Sequence, residues 1–182
     1  MKHSPTEILD AATVAFDQQG TNISMATIAK IAGVSNGTLF HYFPTKQVLL
    51  DQLYITLKTE LATRIGAANE HPDPREQARH VWDRWYDWAL EYPARHRVTL
   101  LLREAELISD DAAAAGLAAF TSLGASLSPS TLNTPTGDSL DWDYLSGLFI
   151  AQLEYAVKHE LDQQQRADAF ERTWRCLAPA IK

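Results

Sequence analysis

The sequence predicts an all-α protein, with a three-helix head over residues 1–50 and a longer helical bundle over residues 51–182. Three observations carry that prediction. Apolar residues recur at i, i+3 and i+4 in one segment after another. The segments open on Ser- or Asp-type caps, often with proline at the first helical position, and close on glycine or proline. No stretch alternates apolar and polar residues as a half-buried strand requires.

The elements follow in order. Ser4-Pro5-Thr6-Glu7 sets Ser4 as N-cap, Pro5 at the first helical position and Glu7 three residues past the cap; Ile8, Leu9, Ala12, Ala15 and Phe16 then recur at helical spacing as far as Gly20. Ser24 caps a second helix that turns Ile28, Ala29 and Ile31 inward and stops at Gly33. Ser35 caps a third, which runs through Phe43 to Pro44. From Thr45 to about Ala68 a long helix carries Leu49, Leu53, Leu57, Leu61 and Ile65 as an i, i+4 stripe, the pattern of one buried face. Pro74 and Glu76 repeat the capping signature and open a helix with Ala78, Val81, Trp82, Trp85, Trp88 and Ala89 on one face, ended by Pro93. The next helix carries Val98, Leu101, Leu102, Ala105 and Ile108. Ser109-Asp110-Asp111 then caps an alanine-rich one toward Leu127. Ser128 to Gly137 has loop composition, and two helices, about Leu140–Glu160 and about Arg166–Ile181, follow it.

With 182 residues, 46% hydrophobic and 21% charged, the composition is that of a folded globular chain and not of a disordered or fibrous one. No window approaches ~18 consecutive apolar residues, and Met1-Lys2-His3-Ser4-Pro5 leads straight into a helix start. A cytoplasmic protein without membrane contact is therefore expected. The single cysteine, Cys176, excludes a disulfide framework and multi-thiolate metal sites, and packing is its expected role. His80, His96 and His159 share no i, i+3 or i, i+4 spacing with another histidine, so no metal is expected. No Gly-rich phosphate loop, nucleophile elbow or paired-carboxylate motif stands out; neither an enzyme nor a catalytic residue nor a cofactor is expected.

A formal net charge of -7 argues against a polyanionic partner until its distribution is considered. Residues 1–50 are neutral, so the excess lies wholly beyond them. Between Gln18 and Leu50 there is no Asp or Glu, only Lys30 and Lys46. In this acid-free window the second helix, the turn Ala32-Gly33-Val34 and the third helix have the lengths of a helix-turn-helix, with Gly33 where a positive φ is usually needed. The third helix opens on Ser35, Asn36, Gly37 and Thr38, small polar groups that can approach phosphates and base edges closely. Phe40, His41 and Tyr42 add an aromatic edge for a thymine methyl and two polar tips for backbone oxygens. Lys46 is a cation in the first turn of a helix, where the helix dipole disfavours it unless an anion is near.

The run Ile28-Ala29-Lys30-Ile31-Ala32-Gly33-Val34-Ser35-Asn36-Gly37-Thr38-Leu39-Phe40-His41-Tyr42-Phe43, with Lys46 and Leu49-Leu50 after it and Ile8 to Ala12, Phe16 and Gly20 before it, resembles the DNA-binding signature of the TetR family of transcriptional regulators. The likeness covers roughly the first 50 residues; beyond them only the architecture matches. It implies a homodimeric repressor whose two helix-turn-helix units occupy successive major grooves of a pseudo-palindromic double-stranded operator. Its last two helices would form the dimer, and a small effector bound by the C-terminal region would release it. Carried over position by position, Ser24, Ser35, Thr38, His41, Tyr42 and Lys46 would hold phosphates, while Asn36, Gly37 and Phe40 would face base edges. Thr27, at the start of the second helix where many relatives carry arginine, joins the candidate DNA-contacting set. With only Lys2 and His3 in the arm before the first helix, the expected binder is modest and salt-sensitive.

For the effector, an apolar or amphipathic compound is expected, in a cavity among the fourth helix, the tryptophan-bearing helix, the Val98-to-Ile108 helix and the Tyr144-to-Tyr155 stretch. Trp82, Trp85, Trp88, Leu101, Phe120, Tyr144, Phe149 and Gln152 are its candidate lining. The alternative is a TetR-like ligand-binding or interaction protein that has lost specific operator binding, suggested by the net charge of -7.

Overall fold

The computed structural model describes residues 4–66, 73–120 and 142–177, and in them nine helices and no strand. In chain order these are α1 (Pro5–Gln19), α2 (Met25–Ile31), α3 (Asn36–Tyr42), α4 (Lys46–Ile65), α5 (Pro74–Glu91), α6 (Pro93–Glu104), α7 (Asp110–Ala118), α8 (Trp142–Lys158) and α9 (Gln163–Leu177). The ends expected at Leu140 and Ile181, and the 128–137 loop, lie outside the described residues; α4 ends at Ile65, before the expected Ala68, with Gly66 at φ 69°, and α7 ends at Ala118, well before the expected Leu127, with Ala119 as its C-cap. No helix among the described residues is long and apolar enough to cross a membrane.

Packing divides the chain into two units. Among the described residues the first unit holds 4–60 and 92–119, the second 61–66, 73–91, 120 and 142–177. The helix-turn-helix therefore lies in one unit with α6 and α7 and shares its core with α6.

In the first unit α1 begins with the expected capping box, the Ser4 side chain accepting from the Glu7 N–H and the Glu7 carboxylate from the Ser4 N–H. Its Ile8, Leu9, Ala12, Ala15 and Phe16 are buried with Ile28, Leu39, Leu49, Leu53, Val98 and Leu102 in one core. Helix α2 closes in a Schellman motif. Val34 N–H donates to Ala29 O (3.0 Å) and Gly33 N–H to Lys30 O (3.2 Å), with Gly33 at φ 66°. Ile31, expected inward, is 39% exposed. At 100° per residue it lies about 160° round the helix from Ala29, so a two-turn helix that buries Ile28 and Ala29 leaves it on the rim.

The α4 stripe is buried along its whole length, from Leu49 to Ile65. Helix α6 ends at Glu104, earlier than expected, so Ala105 is an exposed C-cap and Ile108 lies beyond the helix. Glu106 takes φ 51° there, and Leu107 N–H bonds back to Leu102 O (3.2 Å), closing the helix so that Ser109 can cap α7. Arginines clamp α6 in place: Arg95 pairs with Glu60 (2.6 Å) and Asp10 (3.1 Å), and Arg97 holds both oxygens of Asp17 (2.8 and 2.9 Å). The hydrogen bond from Arg97 holds the Asp17 carboxyl below the usual carboxylate range.

Helix α7 crosses α4 at Gly116, where an added Cβ would stand 2.6 Å from Tyr54 Cε1 and 3.3 Å from Lys58 Cγ. Burial there pushes the Lys58 ammonium down to about 8, with Arg103 adding to the effect, and raises the Tyr54 phenol. Because the Tyr54 ring is buried and cannot swing aside, Gly116→Ala is expected to destabilise the protein by about 1–3 kcal/mol through overpacking. A urea titration checks this. A loss-free variant would mean that the crossing is loosely packed.

In the second unit α5 buries Ala78, Trp82, Trp85, Tyr86, Trp88 and Ala89, with Val81 half-buried. Arg75 and Arg79 reach Glu171 of α9, while Arg166 of α9 pairs with Asp87 (2.9 Å) and covers the Tyr86 ring at 4.7 Å. Helix α9 starts a turn before the expected Arg166. Asp162 and Gln165 form a reciprocal box there, Gln165 N–H to Asp162 Oδ1 (2.9 Å) and Asp162 N–H to Gln165 Oε1 (3.1 Å), which fixes the earlier start. Cys176, expected to pack, is exposed: it sits about 120° round α9 from the buried Phe170.

Candidate nucleic-acid interface

The two helices of the helix-turn-helix start in the same way. Ser24 Oγ accepts from Thr27 N–H (3.1 Å) and lies 2.8 Å from Thr27 Oγ1. Ser35 Oγ accepts from Thr38 N–H (3.1 Å) and lies 2.9 Å from Thr38 Oγ1. Each pair has two hydroxyl protons and uses one between its oxygens, which leaves one per pair to donate outward, as a phosphate contact requires.

Helix α3 turns Leu39 into the core, with Phe43 buried just past its end, while Asn36, Gly37, Phe40 and His41 are exposed and Thr38 and Tyr42 half-buried. The His41 ring stands edge-on to Tyr42 at 5.2 Å between centroids. Nothing inside the protein calls for glycine at position 37, where a Cβ would meet only Ser35 Oγ at 3.7 Å. The missing side chain therefore clears space on the outer face.

Lys46 is half-buried, and its ammonium donates to the Thr21 carbonyl at 2.6 Å, tying the start of α4 to the loop before α2. Of its three N–H groups two remain for an anion. The first carboxylate beyond the acid-free window is already engaged. Asp51 accepts from Ser109 N–H (2.9 Å), Ser109 Oγ (3.0 Å) and Gln47 Nε2 (2.9 Å), and Gln47 Nε2 also bonds Leu107 O (2.9 Å). This knot between α4 and the α6–α7 turn left no signal in the sequence, because its partners are about sixty residues apart.

The candidate effector-lining residues fall in both units. Leu101 lines a cleft of about 370 Å³ with Phe16, Asp17, Arg97, Val98 and Glu104, in the first unit. In the second, Trp82 is fully buried against Phe149 and Phe170, Trp85 lies 6.1 Å from Phe120, Trp88 is fully buried and Gln152 is exposed. The Tyr144 side chain lies outside the described residues. Among the described residues no group of His, Cys, Asp and Glu could hold a metal ion.

A capped helix pair joined by a left-handed glycine, within a stretch of sequence that holds no Asp or Glu from Gln18 to Leu50, defines a helix-turn-helix protein. The family model described as "Bacterial regulatory proteins, tetR family" matches residues 8–53. The uncharacterized HTH-type transcriptional regulator YhgD of Bacillus subtilis is 33% identical over 94 residues, 51% of this chain and 48% of that protein. The HTH-type transcriptional regulator BetI of Ectopseudomonas mendocina is 35% identical over 86 residues, 45% of this chain and 44% of that one. The chain thus matches about half the length of these curated relatives. Among solved structures, a tetR family protein of Shewanella sp. PV-4 superposes with a TM-score of 0.79 at 28% identity over 98% of both chains. A TetR family transcription regulator of Marinobacter aquaeolei VT8 shares the fold, with a TM-score of 0.76 at 18% identity over 98% of this chain and 96% of that one. The chain is thus similar to TetR family regulators, in sequence over residues 8–53 and in fold over nearly its whole length.

Proposed function

We propose that this protein is a transcriptional regulator that binds double-stranded DNA through α2 and α3, with residues 1–50 as the reading head and 51–182 as the effector-binding and dimerising part. The observation that carries this reading is the α3 outer face, acid-free and opened by a glycine that its own fold does not require. Ser24, Thr27, Ser35, Thr38, His41, Tyr42 and Lys46 hold phosphates; Asn36, Gly37 and Phe40 face the bases. The protein acts as a cytoplasmic repressor, released by a small apolar or amphipathic effector. It works as a homodimer through α8 and α9, with half-sites one helical turn, ~34–36 Å, apart. The half-buried Leu148, Phe149, Val157 and Trp174 and the exposed Tyr155 on those helices support a paired surface.

A gel shift with genomic fragments at low salt tests the reading. Specific fragments are expected to be retained, and Lys46→Ala is expected to weaken all of them alike and lower the salt slope by about one per head. Retention of nothing at any salt would leave a TetR-like protein that has lost operator binding.

A further inference from the structure

Major-groove readout is limited by what the reading helix can offer. Guanine is held mainly by Arg or Lys, the adenine N6/N7 edge by Asn or Gln, and the thymine methyl by an apolar surface. Helix α3 reads Asn-Gly-Thr-Leu-Phe-His-Tyr and contains no Arg, Lys, Gln, Asp or Glu. Leu39 belongs to the core, and Thr38 shares a hydroxyl bond with Ser35. With the outward hydroxyl proton of the Ser35–Thr38 pair assigned to phosphate, the exposed α3 groups with base-reading chemistry are the Asn36 amide, the Phe40 ring and the His41 imidazole, and His41 is stacked edge-on against Tyr42.

Asn36 and Phe40 are four residues apart and share a face of the helix, with Gly37 leaving the surface beside Asn36 bare. Phe40 is 45% exposed, on a chain that buries the neighbouring Leu39 and Phe43. Among the described residues no intramolecular hydrogen bond occupies the Asn36 amide. Four residues rise about 6 Å along the helix, roughly two base steps. One amide and one aromatic surface are thus presented together over a short stretch of groove.

We infer that each half-site is read at A·T pairs: an adenine whose N6/N7 edge is bonded by Asn36 and, within about two base steps, a thymine whose C5-methyl packs on Phe40. No guanine is held bidentately by α3. This rests on the DNA-binding reading above and adds to it the chemical identity of the contacted bases.

The test selects duplexes from a random pool with the full chain and then edits single atoms of the best site. A·T pairs are expected at the most strongly specified positions. Replacing the contacted thymine by deoxyuridine, which deletes only the methyl, is expected to weaken the wild type about threefold and leave Phe40→Ala unaffected. Placing 7-deazaadenine at the contacted adenine is expected to weaken the wild type about fivefold and leave Asn36→Ala unaffected. Both positions are exposed, so the variants should keep the wild-type circular dichroism spectrum and melting temperature. Selected sites dominated by G·C, or a deoxyuridine penalty that persists in Phe40→Ala, would overturn the inference. If the wild type enriches no duplex even at low salt, DNA binding itself fails and the inference falls with it.

Discussion

Replacing Trp82 by alanine is expected to lower the free energy of unfolding by about 3–5 kcal/mol, the usual range for a buried aromatic truncated in a packed core. The indole is fully buried and meets Phe149 edge-on at 5.4 Å and Phe170 at 5.9 Å, so one side chain of α5 holds rings from both α8 and α9. Its Nε1–H is buried without a hydrogen-bond partner among the described residues. Such a group costs about 1–3 kcal/mol. Trp82→Phe should therefore lose much less than the alanine variant, since it removes the orphan donor together with part of the apolar surface. Urea titrations of the two variants check this. If Trp82 were the wall of a ligand cavity and not a core residue, the alanine variant would lose under about 1 kcal/mol.

Lowering the pH from 6.5 toward 4 is expected to destabilise the protein by up to about 3 kcal/mol through His96 alone. Burial pushes this imidazole from 6.5 down to about 4, and Arg97 and Arg103 add to the effect. The folded state thus keeps His96 neutral in a range where the unfolded chain binds a proton. With more protons bound in the unfolded state, stability rises with pH across the window between the two values and falls as acid is added. Asp17, held low by Arg97, contributes in the same sense but at lower pH. Urea midpoints at pH 7 and pH 4.5 for the wild type and His96→Gln isolate the histidine. The variant should lose most of the dependence between those two values, and equal slopes would remove His96 as its source.

The Ser4, Ser24, Ser35 and Ser109 caps, the Gly33 turn and the buried stripe of α4 are all legible in the sequence, because they depend on contacts within one or two helical turns and local chemistry decides those. The helix-turn-helix is legible for the same reason, since it consists of two short consecutive helices. Helix boundaries are less so. A turn can close early, as at Glu106, or a side-chain box can start a helix early, as at Asp162. Ile31 and Cys176 lie outside the core, against expectation, because an apolar residue type does not say which arc of a helix the neighbours will cover.

The sequence by itself determined the all-α architecture, the helix-turn-helix and the acid-free stretch that holds it, because helical period, capping and charge spacing are properties of neighbouring residues. Only the tertiary structure decided that α6 shares the core of the helix-turn-helix and that Lys46 is tethered to Thr21. It alone placed Asp51 on Ser109 and buried Trp82 against Phe149 and Phe170. The physical reason is sequence separation. Contacts between residues tens of positions apart depend on how several helices settle against one another at once, and no local pattern encodes that.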